Sequence, residues 1–317
     1  MTRYTNFTCL LLLAFLILVT SSSCKKKRAF KDENAQLSVD VRMFQGQMDE
    51  AISEINQAIM GQPLMRGKSS EINETLVESI CGLDQDTSMV YKGIIRLVYN
   101  GETCKGVKRT GVVMVSILDY PIKKWKNAGT SLKIDFSSYK ASWTSDGRAV
   151  QIDGTVFLKN ESGKTWYDLQ FLNVTNLVQI HTGDNLKATY GSETVDFNVN
   201  RRMEFTYDSG TKATTCKVDG LGSSDGQSGL ESWGFNREGI KFTSKVTSSV
   251  IWKTSCGALA PIDGEVIIDE EEKEHNLNCN FSVDQNGNNV STDTPCPYGM
   301  QVSWSYKSKT NSRIFSY

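Results

Sequence analysis

The hydrophobic period of this chain changes once along its length. Between residues 37 and 59, Leu37, Val41, Phe44, Met48, Ile52, Ile55 and Ile59 recur at spacings of four and three, which predicts an amphipathic α-helix of about six turns. Asp49, Glu50 and Glu54 fall off this stripe and are expected on the solvated side. The stripe itself is expected to lie on the chain's own sheet, with a coiled-coil seam as the alternative. Gly61 and Pro63 should end the helix, and "SSEINETLVESI" from Ser69 predicts a short restart from a serine cap, with Glu71 in its first turn.

From about residue 89 the period is two. In "VDFNVNRRMEFTY", Val195, Phe197, Val199, Met203, Phe205 and Tyr207 share one face, and the polar residues take the other. "IKFTSKVTSSVIWK" repeats the pattern with Phe242, Val246, Val250 and Trp252, as do "LKIDF" and "MQVSWSY". Asn100-Gly101, Asp146-Gly147 and Asn286-Gly287 read as turns between such segments, the last as a type I′ hairpin. Val150, Ile152, Val156 and Leu158 keep one phase straight through Gly154, and Ile262, Val266 and Ile268 do so through Gly264. Each is therefore expected as a continuous strand with a glycine at a bend. The expected fold is all-β: a predominantly antiparallel multi-stranded meander sheet with an N-terminal amphipathic helix, divided as a helical arm over 36–82 and a β domain over 83–317.

Ahead of the helix, Arg3 precedes an apolar run from Phe7 to Val19, about the length of a signal-peptide core and short of the roughly 20 residues a spanning helix needs. Ser21, Ser22 and Ser23 then stand directly before Cys24. Small residues before a cysteine at the end of an export signal resemble the bacterial lipoprotein cleavage box, although Ser21 occupies a position usually held by a large aliphatic residue. This resemblance implies a signal peptide over 1–23, lipidation of Cys24, and a tether over 24–35. Conventional cleavage near the serines is the alternative. In the lipidated chain Lys25, Lys26, Lys27 and Arg28 would lie against anionic headgroups.

With Cys9 and Cys24 set aside, six cysteines remain: Cys81, Cys104, Cys216, Cys256, Cys279 and Cys296. None forms a C-x-x-C pair, which removes the usual zinc and redox motifs. In an exported chain they predict up to three disulfides, among fifteen pairings.

The order of several segments resembles an uncharacterised family of Bacteroidetes lipoproteins: "CGLDQDTSMVYKGIIRLVYNGETCKGVKRTGVVMV", "IDFSSYKASWTSDGRAVQIDGTVFLKN", "NRRMEF" and "SCGALAPIDGEVII", over roughly residues 75 to 304. The resemblance implies an antiparallel sheet behind a helical segment, with no assigned activity. It implies disulfides Cys81 to Cys104 and Cys256 to Cys296, leaving Cys216 and Cys279 as an extra pair. In such lipoproteins acidic residues after the cysteine accompany surface export. The basic run here points instead to an outer-membrane anchor facing the periplasm.

Charge and candidate chemistry add little. With 35 Lys+Arg against 36 Asp+Glu, nothing electrostatic calls for a nucleic-acid partner. Only His181 and His275 exist, outside any H-E-x-x-H spacing, and no G-x-S-x-G elbow occurs. The strand acids Asp135, Asp153, Asp168, Asp196 and Glu204 are numerous enough for a glycosidase pair, but alternation explains them as solvent-face residues. "DEEEKEH" at 269–275 reads as a solvated loop rather than a calcium site, and no metal or cofactor is expected. Arg201 interrupts an apolar face, so the strand carries a bulge there, or the charge has an acid partner, or a ligand approaches. Of the six tryptophans, Trp252 and Trp304 share the core phase, whereas Trp125, in "PIKKWKNAG", is expected to be exposed; Trp125 and Arg201 are the candidate ligand contacts. The expected role is a non-enzymatic binding or scaffolding lipoprotein of the cell envelope, joined to the membrane by its lipid and to an envelope protein or glycan. A carbohydrate- or lipid-binding module is the alternative, with a hydrolase behind it.

Overall fold

The computed structural model describes residues 35–67, 80–257, 260–271, 276–290, 296–306 and 309–317. Cys24, the basic run after it, the short helix expected from Ser69, and His275 lie outside these residues. Helix α1 (Gln36–Met60) is followed by a single turn, α2 (Pro63–Arg66). Strands β1 (Leu83–Asp86), β2 (Ile94–Cys104), β3 (Val107–Ile117), β4 (Thr130–Trp143) and β5 (Ala149–Asn160) come next, then a short helix α3 (Trp166–Phe171). Strands β6 (Leu177–Tyr190), β7 (Glu193–Asp208), β8 (Ala213–Gly220), β9 (Gly222–Ser224), β10 (Gln227–Phe235) and β11 (Lys241–Lys253) continue the meander. It ends with β12 (Asp263–Glu270), β13 (Leu277–Val283), β14 (Gly299–Tyr306) and β15 (Lys309–Ser316).

These strands form one antiparallel sheet in which nearly every strand pairs with its sequence neighbours. The exception is local: β8 and β10 share one lane between β7 and β11. β10 pairs with Asp196 to Val199 of β7, and β8 takes over from Arg201 to Asp208. The all-β meander with an N-terminal helix read from the alternation is the fold of the described residues.

The helix is packed in one compact unit, Ala35–Tyr317, with the sheet rather than forming a separate arm. Its apolar stripe is buried, with Phe44 stacked on Phe197 at 4.0 Å between ring centroids. Its polar side is buried as well: Asp49 is 1% exposed and Glu54 6%, where the pattern placed them in solvent, and Glu50 is half-buried. A helix can bury polar residues on several faces only if the sheet curls around it and supplies partners for them.

The curl has a visible cause. Register slips occur between Asn100 and Thr103 on β2, Thr110 and Val112 on β3, Phe136 and Tyr139 on β4, and Asp153 and Val156 on β5, and again between Gly183 and Leu186 on β6. Because each slip faces the next across paired strands, they line up as a crease, and each bulge adds bend and twist to its strand. The backbone at the crease is folded tightly: Gly111 has φ 105°, and a Cβ there would stand 2.2 Å from the Ser138 carbonyl oxygen. Side chains satisfy the displaced amides, since Ser138 N–H donates to Asp153 Oδ1 at 2.6 Å and Asn185 N–H to Asn198 Oδ1 at 3.0 Å. Gly154 lies inside β5 at one of these bends, as expected.

Two expected turns are corrected. Asn100-Gly101 is a bulge within β2, and the β2–β3 hairpin turns instead at Lys105 and Gly106, whose positive φ values of 49° and 80° suit a type I′ turn. Asn286-Gly287 does turn the chain, with Gly287 N–H donating to the Asp284 carbonyl at 3.1 Å. Only Gly287 has positive φ, so the turn is not type I′.

Candidate functional site

Three carboxylates along α1 each meet an arginine from a different part of the sheet. Asp40 accepts from Arg237 in the β10–β11 turn at 2.6 and 2.7 Å. Asp49 accepts from Arg201 on β7 at 2.6 and 3.3 Å. Glu54 pairs with Arg109 on β3 and accepts from the Tyr99 hydroxyl at 2.7 Å. Neutral pairs fill the gaps: the amides of Asn56 and Gln179 bond reciprocally, and the Tyr139 hydroxyl donates to Gln47. Arg201 therefore has an acid partner, and the register with β6 runs unbroken through it from Asn200 to Arg202, so the β6–β7 ladder carries no bulge there; on its other side Arg201 is the first β7 residue paired with β8.

The central cluster has a definite protonation. Arg201 Nη2 lies 2.9 Å from His181 Nδ1, and since a guanidinium only donates, Nδ1 must accept and the imidazole is the neutral Nε2–H tautomer. Burial and the adjacent Arg201 charge both hold the His181 pKa well below its ordinary value, which agrees. With Nδ1 occupied by a cation and the ring 0% exposed, this imidazole is poorly placed to act as a base. Burial also raises Asp40 and Glu231, in each case against the pull of a nearby arginine, and pushes Glu54 up to about 7 against Arg109.

The disulfides Cys81–Cys104 and Cys256–Cys296 are formed, the pairing that the family resemblance implies. Glu102 lies beside the first pair in the arrangement of a metal site, but both thiols there are spent in the disulfide. Cys216 and Cys279 are not a third bridge. Both are free and buried, Cys216 on β8 and Cys279 on β13, with β11 and β12 between them. Three strand spacings are roughly 14 Å, well beyond the reach of a disulfide. Trp125 is likewise corrected: it is 1% exposed, its backbone N–H donates to the Met65 carbonyl, and the Asn160 side-chain amide donates to the Trp125 carbonyl at 2.6 Å. It plugs one end of the sheet and offers no stacking platform. Trp252 and Trp304 are buried as their phase predicted.

At the other end, a cleft opens beside the first half of α1. Val39, Arg42 and Met43 of the helix, Trp143 and Arg148 flanking the β4–β5 turn, Met300 of β14, and Phe315 and Tyr317 at the end of β15 line a small cleft of about 40 Å³, half open to solvent. Aromatic rings and thioethers make most of the wall, with two guanidiniums set in it. Arg148 sits 5.8 Å from the Trp143 ring centroid and donates to Asp146 at 2.7 Å; Arg42 lies 5.7 Å from the Phe281 ring. The Tyr317 hydroxyl is buried with no hydrogen-bond partner among the described residues. Such a wall suits a compact apolar or aromatic body carrying an anionic group. Sequence reasoning missed it because its parts come from residues 39–43, 143–148 and 300–317, with no spacing to link them.

No family model matches the chain, and no solved structure does. Among curated proteins, cadherin-23 of Mus musculus is 30% identical over 117 residues, 36% of this chain. The match spans 3% of the length of cadherin-23.

Proposed function

We propose that this chain is a lipid-anchored protein of a bacterial cell envelope that acts by binding, with the cleft between α1, the β4–β5 turn and β15 as its ligand site. The observation that carries the binding reading is the wall of that cleft, where Trp143, Phe315 and Tyr317 stand beside Arg42 and Arg148. The anchoring half rests on the sequence around Cys24 and on two disulfides, which suit an oxidising compartment. No helix among the described residues is long and apolar enough to cross a membrane, so in this reading attachment falls to the lipid.

Two measurements test the two halves. Metabolic labelling with a palmitate analogue should mark the wild type and be lost in Cys24→Ala; retained label would remove the anchor. For the cleft, tryptophan fluorescence is titrated with octanoate and, separately, octanol, which share a tail and differ in charge. Octanoate should bind more tightly, and Arg148→Met should abolish that preference. Equal response to both ligands, or none, would retire the site. A glycan-binding reading retains one specific support, the half-buried ring of Trp143 in the same cleft, and the same titration with oligosaccharides tests it.

A further inference from the structure

The end of the sheet opposite the cleft is closed by a cap assembled from separate segments. The loop 118–129 is tied to α2 by bonds from Trp125 N–H to Met65 and from Lys126 N–H to Arg66. The 3-10 turn Val90–Lys92 packs on α2, and Gly93 beside it is in close contact with the Tyr120 ring. Arg66 stacks 4.3 Å from the Tyr167 ring of α3, bringing α3 into the same cap. The inner side of the cap is sealed by Trp125. Several apolar side chains of these segments are exposed: Ile122 is 89% exposed, Tyr91 63%, Leu64 53% and Leu172 50%. They come from different segments, two of which, Val90–Lys92 and the loop 118–129, also carry lysines. Lys92 reaches over the Tyr91 ring, Lys124 lies 3.7 Å from the Tyr120 ring centroid, Lys126 is exposed, and Lys123 pairs with Asp119.

We propose that this capped end is a docking face for an anionic lipid surface. Projecting aliphatic tips, tyrosines and lysines are what an interface between headgroups and acyl chains accommodates. The apolar tips enter the boundary, the phenols sit at headgroup level, and the ammonium groups meet the phosphates. A groove on a protein partner would require complementary pockets for each tip. A second copy of this chain meeting the same face across a two-fold axis would set lysine against lysine. The inference rests on the envelope reading for how the chain reaches a bilayer, and it adds an orientation: the cap against the membrane and the cleft turned away, which a tether over 24–35 joining α1 at the cleft end spans only near full extension, since α1 is about 38 Å long. Thr130 at the start of β4 bonds the cap through Lys124, and the 14 residues of β4, bent between Phe136 and Tyr139, separate it from the β4–β5 turn by at most about 45 Å.

The test uses the full chain in vesicles of phosphatidylcholine with phosphatidylglycerol. An environment-sensitive fluorophore is placed on Ile122→Cys or, at the far end of β4, on Ser145→Cys. Cys216 and Cys279 are buried, so the introduced thiol takes the label. With a nitroxide-bearing lipid as quencher, the label at 122 should be quenched several-fold more than that at 145, and less so when the anionic lipid is omitted. Vesicle-bound protein with equal quenching at both positions would overturn the docking face while leaving the anchor intact. Quenching at 122 that persists in a Cys24→Ala chain would uphold the face without the anchor. Concentration-dependent shielding of position 122 without vesicles would assign the face to a second copy and overturn the proposal.

Discussion

At the scale of single residues, the core is defined by charges that sequence periodicity placed in water. Removing one member of the buried pair Asp49–Arg201 strands the other, a penalty of about 3–5 kcal/mol, whereas replacing both by apolar residues restores most of it. Arg201→Met should therefore lower unfolding stability by roughly that amount, and Asp49→Leu combined with Arg201→Met should recover much of the loss. A double-mutant cycle by urea denaturation reads the coupling, and additive single effects would contradict a shared ion pair. Glu54 gives a pH-dependent counterpart. Its folded pKa of about 7 lies above the ordinary 4.5, so the fold favours the protonated carboxyl. The resulting stabilisation is full below about pH 4.5 and is lost as pH rises through about 7, amounting to roughly 3 kcal/mol. Wild type should thus lose ground to Glu54→Gln across that window in denaturant midpoints; a flat difference would show an ordinary carboxylate.

At the scale of elements, the line of bulges from β2 to β6 decides how the meander closes on α1. Gly111 illustrates why. Its left-handed backbone and its contact with Ser138 leave no room for a side chain, so Gly111→Ala should cost on the order of 2–4 kcal/mol. Gly147 also has positive φ, but a Cβ there meets open space, and Gly147→Ala should cost only about 1 kcal/mol. Thermal or chemical melts of the two variants compare steric closure with backbone strain alone. Equal losses would mean that the crease is not under steric control.

At the scale of the whole molecule, the disulfides and the free thiols make opposite predictions. Cys81–Cys104 pins the segment leading into β1 to the end of β2, and Cys256–Cys296 bridges the chain around β12 and β13. By the chain-entropy estimate, opening either by Cys→Ser should cost about 3–4 kcal/mol. Cys216 and Cys279 should stay unreactive toward iodoacetamide in the native protein and react only as it unfolds, because burial raises both thiol pKa values and the sheet excludes the reagent. Rapid native alkylation of either would place that thiol at the surface.

Much of this was legible from residue order. The period-two phases of "VDFNVNRRMEFTY" and "IKFTSKVTSSVIWK" located β7 and β11, the stripe from Leu37 to Ile59 located α1, and the unbroken phase through Gly154 identified a bent strand rather than a hairpin. These are local properties, because side-chain alternation is set by the dihedrals of adjacent residues. What lies opposite a helix is not local. Whether Asp49 and Glu54 met water or an arginine and whether Trp125 pointed outward depended on how far the sheet curls, and whether Cys216 reached Cys279 depended on which strands came to lie between them. That curvature is the sum of small bulge-induced bends across many paired strands, so it exists only once residues distant in sequence have been brought into register.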